Sequence, residues 1–309
     1  MTGVVDAEGV TKRYGEVLGL NGFTATFPPG ITGLVGPNGA GKSTFFRLLA
    51  GQLRTDKGTL TLLGYPAWGQ GEFRRRVGYC PEGATLFEWM TGEDFVTTLL
   101  RVDGFSRAEA TDRATRAIAS VGLTDARHRR IQVYSKGMRQ RIKLAQSIAH
   151  DPELILLDEP LNGVDPVGRA SLSALMRKLS TEGHHLIVSS HVLYEVERLT
   201  EQIVMIGNGR AIAQGNIHRI RDLIDARPHV IDIETPDPRG LARLLGSWDH
   251  VVSIQFPAPE RLRVLTRSPD LFYAALPGLV VAEGIVLRSV RSADDNLDAV
   301  FRYLSEATP

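Results

Sequence analysis

The chain has 309 residues, of which 36 are Lys or Arg and 35 are Asp or Glu, so both charges are mixed and no basic surface for nucleic acid stands out. Its length suffices for one large and one small domain, and its one cysteine, Cys80, excludes an intrachain disulfide and suits a reducing compartment. Because it has neither a signal-peptide pattern nor an apolar run of the roughly 20 residues that a membrane helix needs, we expect a soluble cytoplasmic protein whose membrane role, if any, depends on a partner.

Short apolar runs separated by turn residues or by helical stretches predict strands in the first two thirds of the chain. These runs lie at residues 22–27, 31–35, 59–63, 77–80, 154–157, 186–189 and 203–206. The later runs alternate with helical segments, which is typical of a parallel sheet covered on both faces. Between residues 87 and 150 the chain is predicted to be mainly helical, most clearly at 110–121 and 136–150, as a subdomain inserted into an α/β core.

A glycine-rich turn follows the apolar run at 31–35 and precedes a helical segment. Its sequence, Gly36-Pro37-Asn38-Gly39-Ala40-Gly41-Lys42-Ser43-Thr44, has the G-x-x-x-x-G-K-[ST] pattern of a phosphate-binding loop. In this context, backbone N–H groups and the positive end of the helix converge on an anion. We therefore expect the turn from Gly36 to Thr44 to bind nucleotide phosphates. Lys42 would reach the β- and γ-phosphates, and the Ser43 hydroxyl would ligate Mg²⁺.

Two carboxylates, Asp158 and Glu159, follow the apolar run at 154–157. The carboxyl edge of a parallel sheet is where ligands of open α/β folds bind, so these acids are expected beside the phosphate loop. Asp158 suits the Mg²⁺ shell, and Glu159 suits the base that orients and deprotonates an attacking water. Taken alone, the pair also fits a polar strand end, but the phosphate loop favours the catalytic interpretation.

The segment Tyr134-Ser135-Lys136-Gly137-Met138 resembles the L-S-G-G-Q signature of ABC-type ATPases. Ser135 and Gly137 match that motif, whereas the other three residues depart from its commonest form. Since the hydroxyl and the second glycine are kept, the resemblance implies that Ser135 and Gly137 contact a nucleotide held by a partner's phosphate loop.

Other motifs similar to those of this family follow in the expected order. The resemblance implies that Tyr14 stacks on the adenine ring, that Asp165 in the D-loop contacts the partner's nucleotide, and that His191 contacts the γ-phosphate. His191 would then act in catalysis with Lys42 and Glu159. Taken alone, Tyr14 fits a half-buried strand aromatic and His191 fits a surface or capping histidine, and it is the order and spacing that favour the functional roles.

Glu82 stands where the family usually has a glutamine that offers a neutral carbonyl to Mg²⁺ or to the attacking water. We predict that Glu82 joins Ser43 and Asp158 in the Mg²⁺ site, with a negative charge that the glutamine lacks.

The next residues, 85–91, correspond to the surface that meets membrane subunits in the family. Phe87, Trp89 and Met90 would suit an anchor in a groove there, and core packing is the alternative. Cys80 is expected to be a buried strand residue.

The segment after residue 215 carries no phosphate, metal or nucleophile motif. Strands are predicted at 230–234, 251–256, 262–266 and 285–290, helices at 238–245 and 269–276, and a last helix at about 294–304. The strand-helix-strand-strand-helix-strand order matches the ferredoxin-like pattern. The segment resembles the small C-terminal domains of drug, polysaccharide and ABC-2-type exporter ATPases, although such a fold also suits RNA or a small regulator.

The resemblance covers roughly residues 4–220 and implies an α/β fold of the ABC type of P-loop NTPase. This fold has a RecA-like parallel-sheet core, an antiparallel β subdomain and a helical subdomain at about 87–150. We therefore predict an ATPase domain at 1–220 and a small α+β ferredoxin-like accessory domain at 221–309.

The implied function is that of the ATP-binding and ATP-hydrolysing subunit of an ABC transporter, most similar to the ABC-2 exporter group. Two ATPase subunits would dimerise around two ATP molecules with Mg²⁺ and drive polytopic membrane permease subunits from the cytoplasmic face of the membrane. A homodimer is favoured over a heterodimer. The alternative is a soluble ABC-type ATPase acting on nucleic acid or ribosomes. That class carries a coiled-coil insertion or a second cassette, which this chain lacks, and no nucleic-acid partner is expected.

Overall fold

The computed structural model describes residues 3–68, 75–83, 86–218, 220 and 228–292. The chain divides into two compact units, Met1–Asn216 and Ile217–Pro309, so the division lies slightly before the predicted boundary at 220. Within the described ranges, none of the helices combines the length and the apolar character that a bilayer crossing requires.

In the part of the first unit that the structure describes, there are two sheets and a set of helices. Its strands are β1 Val5–Tyr14, β2 Val17–Phe27, β3 Ile31–Val35, β4 Lys57–Leu62, β5 Tyr65–Pro66, β6 Val77–Cys80, β7 Leu154–Leu157, β8 His185–Ser190, β9 Gln202–Gly207 and β10 Arg210–Asn216. Its helices are α1 Lys42–Leu49, α2 Gly92–Val102, α3 Arg107–Ser120, α4 Lys136–Ile148, α5 Pro166–Thr181 and α6 Leu193–Glu197, with short 3-10 turns at Thr124–Ala126 and Ile131–Val133.

The larger sheet has the strand order β10-β9-β3-β8-β7-β6. Strands β6, β7, β8, β3 and β9 are parallel, and β10 pairs antiparallel with β9. Strand β7 is buried along its whole length, as expected for a strand covered on both faces. The predicted parallel sheet is therefore confirmed. The carboxyl ends of β3, β7 and β8 lie at the same edge.

The smaller sheet is antiparallel, with the order β2-β1-β4-β5. Strand β1 is not predicted from the sequence, because its alternation of buried and exposed residues is broken where the register with β2 shifts. Aromatic packing joins this sheet to α1, with the rings of Phe23 and Phe45 4.7 Å apart and those of Phe27 and Phe45 5.3 Å apart. This contact fixes the antiparallel sheet beside the start of α1.

Helices α2, α3 and α4 occupy the stretch for which helical structure is predicted. A side chain caps the N-terminus of each one: Thr91 caps α2, Ser106 with Glu109 forms a capping box on α3, and Ser135 caps α4. Their apolar faces share one core with β6 and β7, in which Cys80 is fully buried as predicted. The signature segment thus begins a helix that packs directly on the larger sheet.

Among residues 228–292, the second unit contains a four-stranded antiparallel sheet and two helices. Its elements are β11 His229–Glu234, α7 Pro238–Leu245, β12 Val251–Ala258, β13 Arg261–Thr266, α8 Pro269–Glu283 and β14 Ser289–Ser292. The sheet order is β12-β13-β11-β14, and its core includes Ile231, Ile233, Leu262, Val264 and Phe272. The element order agrees with the sequence-based one, and the ferredoxin-like assignment stays a prediction.

Two elements of the second unit, one helix and one strand, differ from the prediction by several residues. Helix α8 continues past Pro277 to Glu283, and the following strand, β14, is Ser289–Ser292 and not 285–290. Leu279 and Val280, which follow Pro277, pack against the core of this unit, and this packing favours a helix that continues past the proline. Gly284 ends it, at a φ of 63° that favours glycine. The helix predicted at about 294–304 lies outside the described residues.

We expect a chain that ends at Asn216 to remain folded, because the first unit contains both of its sheets and their cores. A chain that ends at Leu199 is the control, since it loses β9 and β10 and exposes the edge of β3. Thermal unfolding followed by circular dichroism should give one cooperative transition for the first chain and none for the second. Loss of that transition in the 216-residue chain would mean that the two units share one core.

Candidate functional site

The glycine-rich turn lies between β3 and α1, where the sequence predicts it. Gly39 and Gly41 have φ values of 80° and 110°, which favour glycine. A Cβ atom at Gly36 would lie 2.3 Å from the Ile206 carbonyl oxygen, and one at Gly41 would lie 2.5 Å from that of Gly19. No side chain caps the N-terminus of α1, so its first N–H groups are left for a ligand.

The Lys42 side chain is buried within this turn and is only 6% exposed. Its ammonium donates hydrogen bonds to the carbonyl oxygens of Gly36, at 2.6 Å, and Pro37, at 3.2 Å. It also lies 3.2 Å from Oε1 of Glu159, an ion pair by distance whose angles do not make a hydrogen bond. Oε1 of Glu159 is therefore buried with a cation beside it but without a hydrogen-bond donor.

The two carboxylates that follow β7 are both buried. Ser189 on β8 joins them, because its hydroxyl donates to Oδ1 of Asp158, at 2.7 Å, and accepts from the Glu159 N–H, at 2.9 Å. The Asp158 N–H donates to the Cys80 carbonyl oxygen, at 2.9 Å, which ties the strand end to β6. Both acids are thus held rigidly at the carboxyl edge of the parallel sheet.

Burial raises the pKa of Asp158, and the hydrogen bonds from Ser189 and Ser43 partly oppose this shift. Burial also raises the pKa of Glu159, against the charge of Lys42 and the hydrogen bond with His191. A carboxylate whose pKa is shifted upward is a better proton acceptor than one at its ordinary value, which suits a general base.

His191 follows β8 and lies beside Glu159. Its Nδ1 is 3.0 Å from Oε2 of Glu159, and its side chain is 41% exposed. With the proton on Nδ1, the ring donates to the carboxylate and presents its other nitrogen elsewhere. Lys42, at the start of α1, and His191, after β8, therefore contact the two oxygens of the same buried carboxylate.

A cavity of about 470 Å³ brings together predicted residues from distant parts of the sequence. It is lined by Tyr14, Val17, Leu18, Gly19, Pro37, Asn38, Gly39, Gly41, Lys42, Ser43, Thr44, Glu82 and Glu159. Tyr14 belongs to this lining and is 42% exposed, so its ring is available to a flat ligand. Sequence reasoning missed Val17, Leu18 and Gly19, for which the signal is their nearness to Tyr14 in the sequence.

Glu82 lies in the cavity wall and is held by a residue that the sequence analysis did not single out. The Asn162 amide donates to Oε1 of Glu82, at 3.1 Å, and the Asn162 N–H donates to the Glu159 carbonyl oxygen, at 3.1 Å. Asn162 thus connects the Glu82 segment to the turn that carries Glu159. Its place in the segment Asn162-Gly163-Val164-Asp165 is the signal that could have indicated a role.

The three residues predicted to reach a partner's nucleotide do not line this cavity. Ser135 caps α4 by accepting from the Met138 N–H, at 3.3 Å, and Asp165 caps α5 by accepting from the Gly168 N–H, at 2.9 Å. No atom lies within 4 Å of the place a Cβ would take on Gly137, apart from its own helix and chain neighbours. Their contact with another chain stays a prediction.

Ser43, Asp158 and Glu82 offer the hard oxygen donors that Mg²⁺ prefers. Within the described ranges, no group of three or more His, Cys, Asp or Glu side chains forms a metal cage. Mg²⁺ is usually held by one or two carboxylates together with substrate phosphates, and not by a cage made of protein alone. The donors beside the phosphate loop therefore fit a magnesium ion that arrives with a nucleotide.

Comparisons with known proteins give matches to ABC transporter proteins and to their ATP-binding subunits. Residues 20–162 match the family described as ABC transporter. The chain is 32% identical to the daunorubicin/doxorubicin resistance ATP-binding protein DrrA of Streptomyces peucetius, over 98% of this chain and 93% of that protein. It is 33% identical to the Nod factor export ATP-binding protein I of Burkholderia orbicola, over 89% and 90%. A solved structure of an ATP binding subunit of an ABC transporter matches with a TM-score of 0.64 and 27% identity, over 72% of this chain and 93% of that one.

Replacing Ser189 by alanine should destabilise the fold, because the Glu159 N–H and Oδ1 of Asp158 would lose their shared buried partner. We expect a loss of about 1–3 kcal/mol in the free energy of unfolding, measured with urea. Ser147→Ala is the matched control. Ser147 is also fully buried, but it donates only to a carbonyl of its own helix, so its loss should cost less. Equal losses would show that the Ser189 bridge has no special weight.

Proposed function

The chain belongs to the ABC transporter family, as an ATP-binding subunit that hydrolyses ATP, and we propose that it powers export from the cytoplasmic face of the membrane. The observation that carries the proposal is the convergence of Lys42 and His191 on the buried carboxylate of Glu159, beside the phosphate loop. A cation for the phosphates and a base for water are thereby held within one small volume. That is the arrangement phosphoryl transfer to water needs.

Lys42 is the residue that neutralises the β- and γ-phosphates. Its ammonium donates to the carbonyl oxygens of Gly36 and Pro37 and lies beside Glu159. Phosphate oxygens entering the turn would replace these partners with stronger, charge-assisted ones. Asn38, Ala40 and Thr44 belong to the same turn, whose N–H groups would contact the phosphates.

Glu159 is the general base. Its upward-shifted pKa and its fixed backbone suit it to accept a proton from a water aligned with the γ-phosphate. His191 holds one carboxylate oxygen at 3.0 Å and, through its exposed side, would contact the γ-phosphate. Tyr14, which lines the same cavity, would stack on the adenine ring.

Ser43 and Asp158, joined by Glu82, would hold Mg²⁺. The bound ion would supply positive charge to the β- and γ-phosphates as negative charge shifts during hydrolysis. Asp158 is already oriented for this role by the Ser189 hydroxyl. Glu159, which faces Lys42 and His191, is left for proton transfer.

A second ATPase subunit completes each site. The chain has one phosphate loop and one signature segment, and Ser135, Gly137 and Asp165 do not line the cavity of their own chain. In a head-to-tail pair these residues would face the γ-phosphate bound by the other subunit. Binding of ATP would favour the closed pair, because closure adds contacts to that phosphate, and hydrolysis would remove them. A homodimer is the favoured pairing.

The membrane subunits would dock on an aromatic groove beside the helical subdomain. A cavity of about 590 Å³ is lined by Phe87, Phe95, Leu99 and Phe105 among others, and the neighbouring Trp89 is 67% exposed. Exposed aromatic side chains at a cavity rim are typical anchors for a partner segment.

Two relatives are named for drug resistance and for Nod factor export, which supports export as the direction of transport.

We expect Glu159→Gln to slow ATP hydrolysis by about 10² to 10⁴-fold, because the amide cannot take a proton from water. ATP binding through Lys42 should persist, so the closed pair should accumulate and elute as a dimer in size exclusion with ATP and Mg²⁺. Adding Ser135→Arg should return it to the monomer, since a bulky cation would occupy the γ-phosphate contact. Glu182→Gln, in an exposed cap of α5, is the matched control. Hydrolysis by Glu159→Gln at the parent rate would refute the assigned base.

Purification from a detergent extract of the native cell should recover a polytopic membrane protein with this chain. Trp89→Ala should weaken that recovery, because it removes the most exposed ring beside the groove. Tyr194→Ala is the matched control, as Tyr194 is an aromatic of similar exposure on α6. Recovery of nucleic acid or ribosomes, with no membrane protein, would contradict the transport role.

A further inference from the structure

Lys143, on α4, is a buried cation that the proposed mechanism does not use. Its side chain is 7% exposed, and its ammonium donates to the carbonyl oxygens of Pro81, at 3.0 Å, and Glu82, at 2.7 Å. Among the ion pairs of the described residues, none includes Lys143. Two neutral carbonyls accept hydrogen bonds from two of its three N–H groups, and they do not balance its charge. A buried ammonium is costly without a nearby anion, so the charge itself calls for a physical explanation.

Glu82, whose backbone carbonyl accepts a hydrogen bond from Lys143, also carries a negative charge on its side chain. It is the third acid around the phosphate loop, together with Asp158 and Glu159, and its charge adds to the effect of burial in raising the pKa of Asp158. Three carboxylates repel one another and also repel the phosphates of a nucleotide. A glutamine at position 82 would not add this charge. The Glu82 side chain is exposed, so water screens part of its charge, and a cation that lies close to it would offset more of the repulsion.

We propose that Lys143 is a positioning residue whose charge offsets that of Glu82 and whose two hydrogen bonds fix the backbone of residues 81 and 82. The Asn162 amide then holds Oε1 of Glu82 at the cavity wall. Together these contacts let a carboxylate occupy the Mg²⁺ side of the site without weakening nucleotide binding. The inference rests on the proposed ATPase site and extends it to a residue on the signature helix.

The alternative is that Lys143 is only a clamp between α4 and residues 81–82. A clamp acts through its hydrogen bonds to backbone carbonyls, and these do not depend on which side chain stands at position 82. A counter-charge acts on the carboxylate itself, so its loss should be repaired when the carboxylate is replaced by an amide. The two roles are thus separated by a double-mutant cycle on positions 82 and 143.

The experiment compares the parent chain with Lys143→Met, Glu82→Gln and the double variant. The probe is ATP, and its dissociation constant is measured with Mg²⁺ and with EDTA. Lys143→Met should weaken ATP binding by about tenfold in EDTA, as expected for one unit charge acting over about 10 Å at an effective dielectric constant of 20. With Mg²⁺ the loss should be smaller. In the double variant, ATP binding should return to within about threefold of Glu82→Gln alone.

Two further variants keep the test decisive. Lys143→Arg retains the charge and should bind ATP like the parent. Lys143→Gln keeps a hydrogen-bond donor without the charge, and it carries the same cycle if Lys143→Met does not fold. If the double variant binds ATP as weakly as the Lys143 variant alone, the counter-charge role is wrong. Failure of the parent chain itself to bind ATP would instead overturn the proposed function, so the two failures are distinguishable.

Discussion

The parallel pairing of β7 with β3 through β8 is the constraint on which the site depends. These strands end at one edge, so residues that follow them in sequence meet there although about 120 positions separate the phosphate loop from Glu159 and about 30 separate Glu159 from His191. The Ser189 hydroxyl then ties the end of β8 to the carboxylates after β7. A shift in the pairing of either strand would separate the base from the phosphates.

Much of this arrangement follows from local sequence patterns. The boundaries of β3, β6 and β7 agree with the apolar runs, because fully buried strands need continuous apolar residues. Strand β1 is not predicted from the sequence, because bulges in it break the alternation of buried and exposed residues on which strand prediction depends. The end of helix α8 is also missed, because packing of Leu279 and Val280 on the core favours a helix that continues past Pro277. Where packing overrides local preference, the sequence pattern alone is insufficient.

The candidate site likewise combines residues that local motifs predict with residues that only long-range contacts place there. The phosphate loop, the two carboxylates and His191 belong to short motifs with strict spacing, and the structure brings them together. Ser189, Asn162 and Lys143 act through contacts with residues 30 to 80 positions away, which no local pattern encodes. The motifs therefore carry the chemical groups, and long-range contacts set their orientation and their electrostatic environment.

The backbone of Glu159 has a further consequence. Its φ of 49° lies in the left-handed region, which costs a residue other than glycine on the order of 1–3 kcal/mol. Glycine would relieve this strain but would remove the base. Catalysis and folding stability therefore favour different residues at this position. A substitution that stabilised the backbone at this position would therefore reduce activity. Attempts to raise the melting temperature by consensus or computational redesign should therefore leave this turn unchanged.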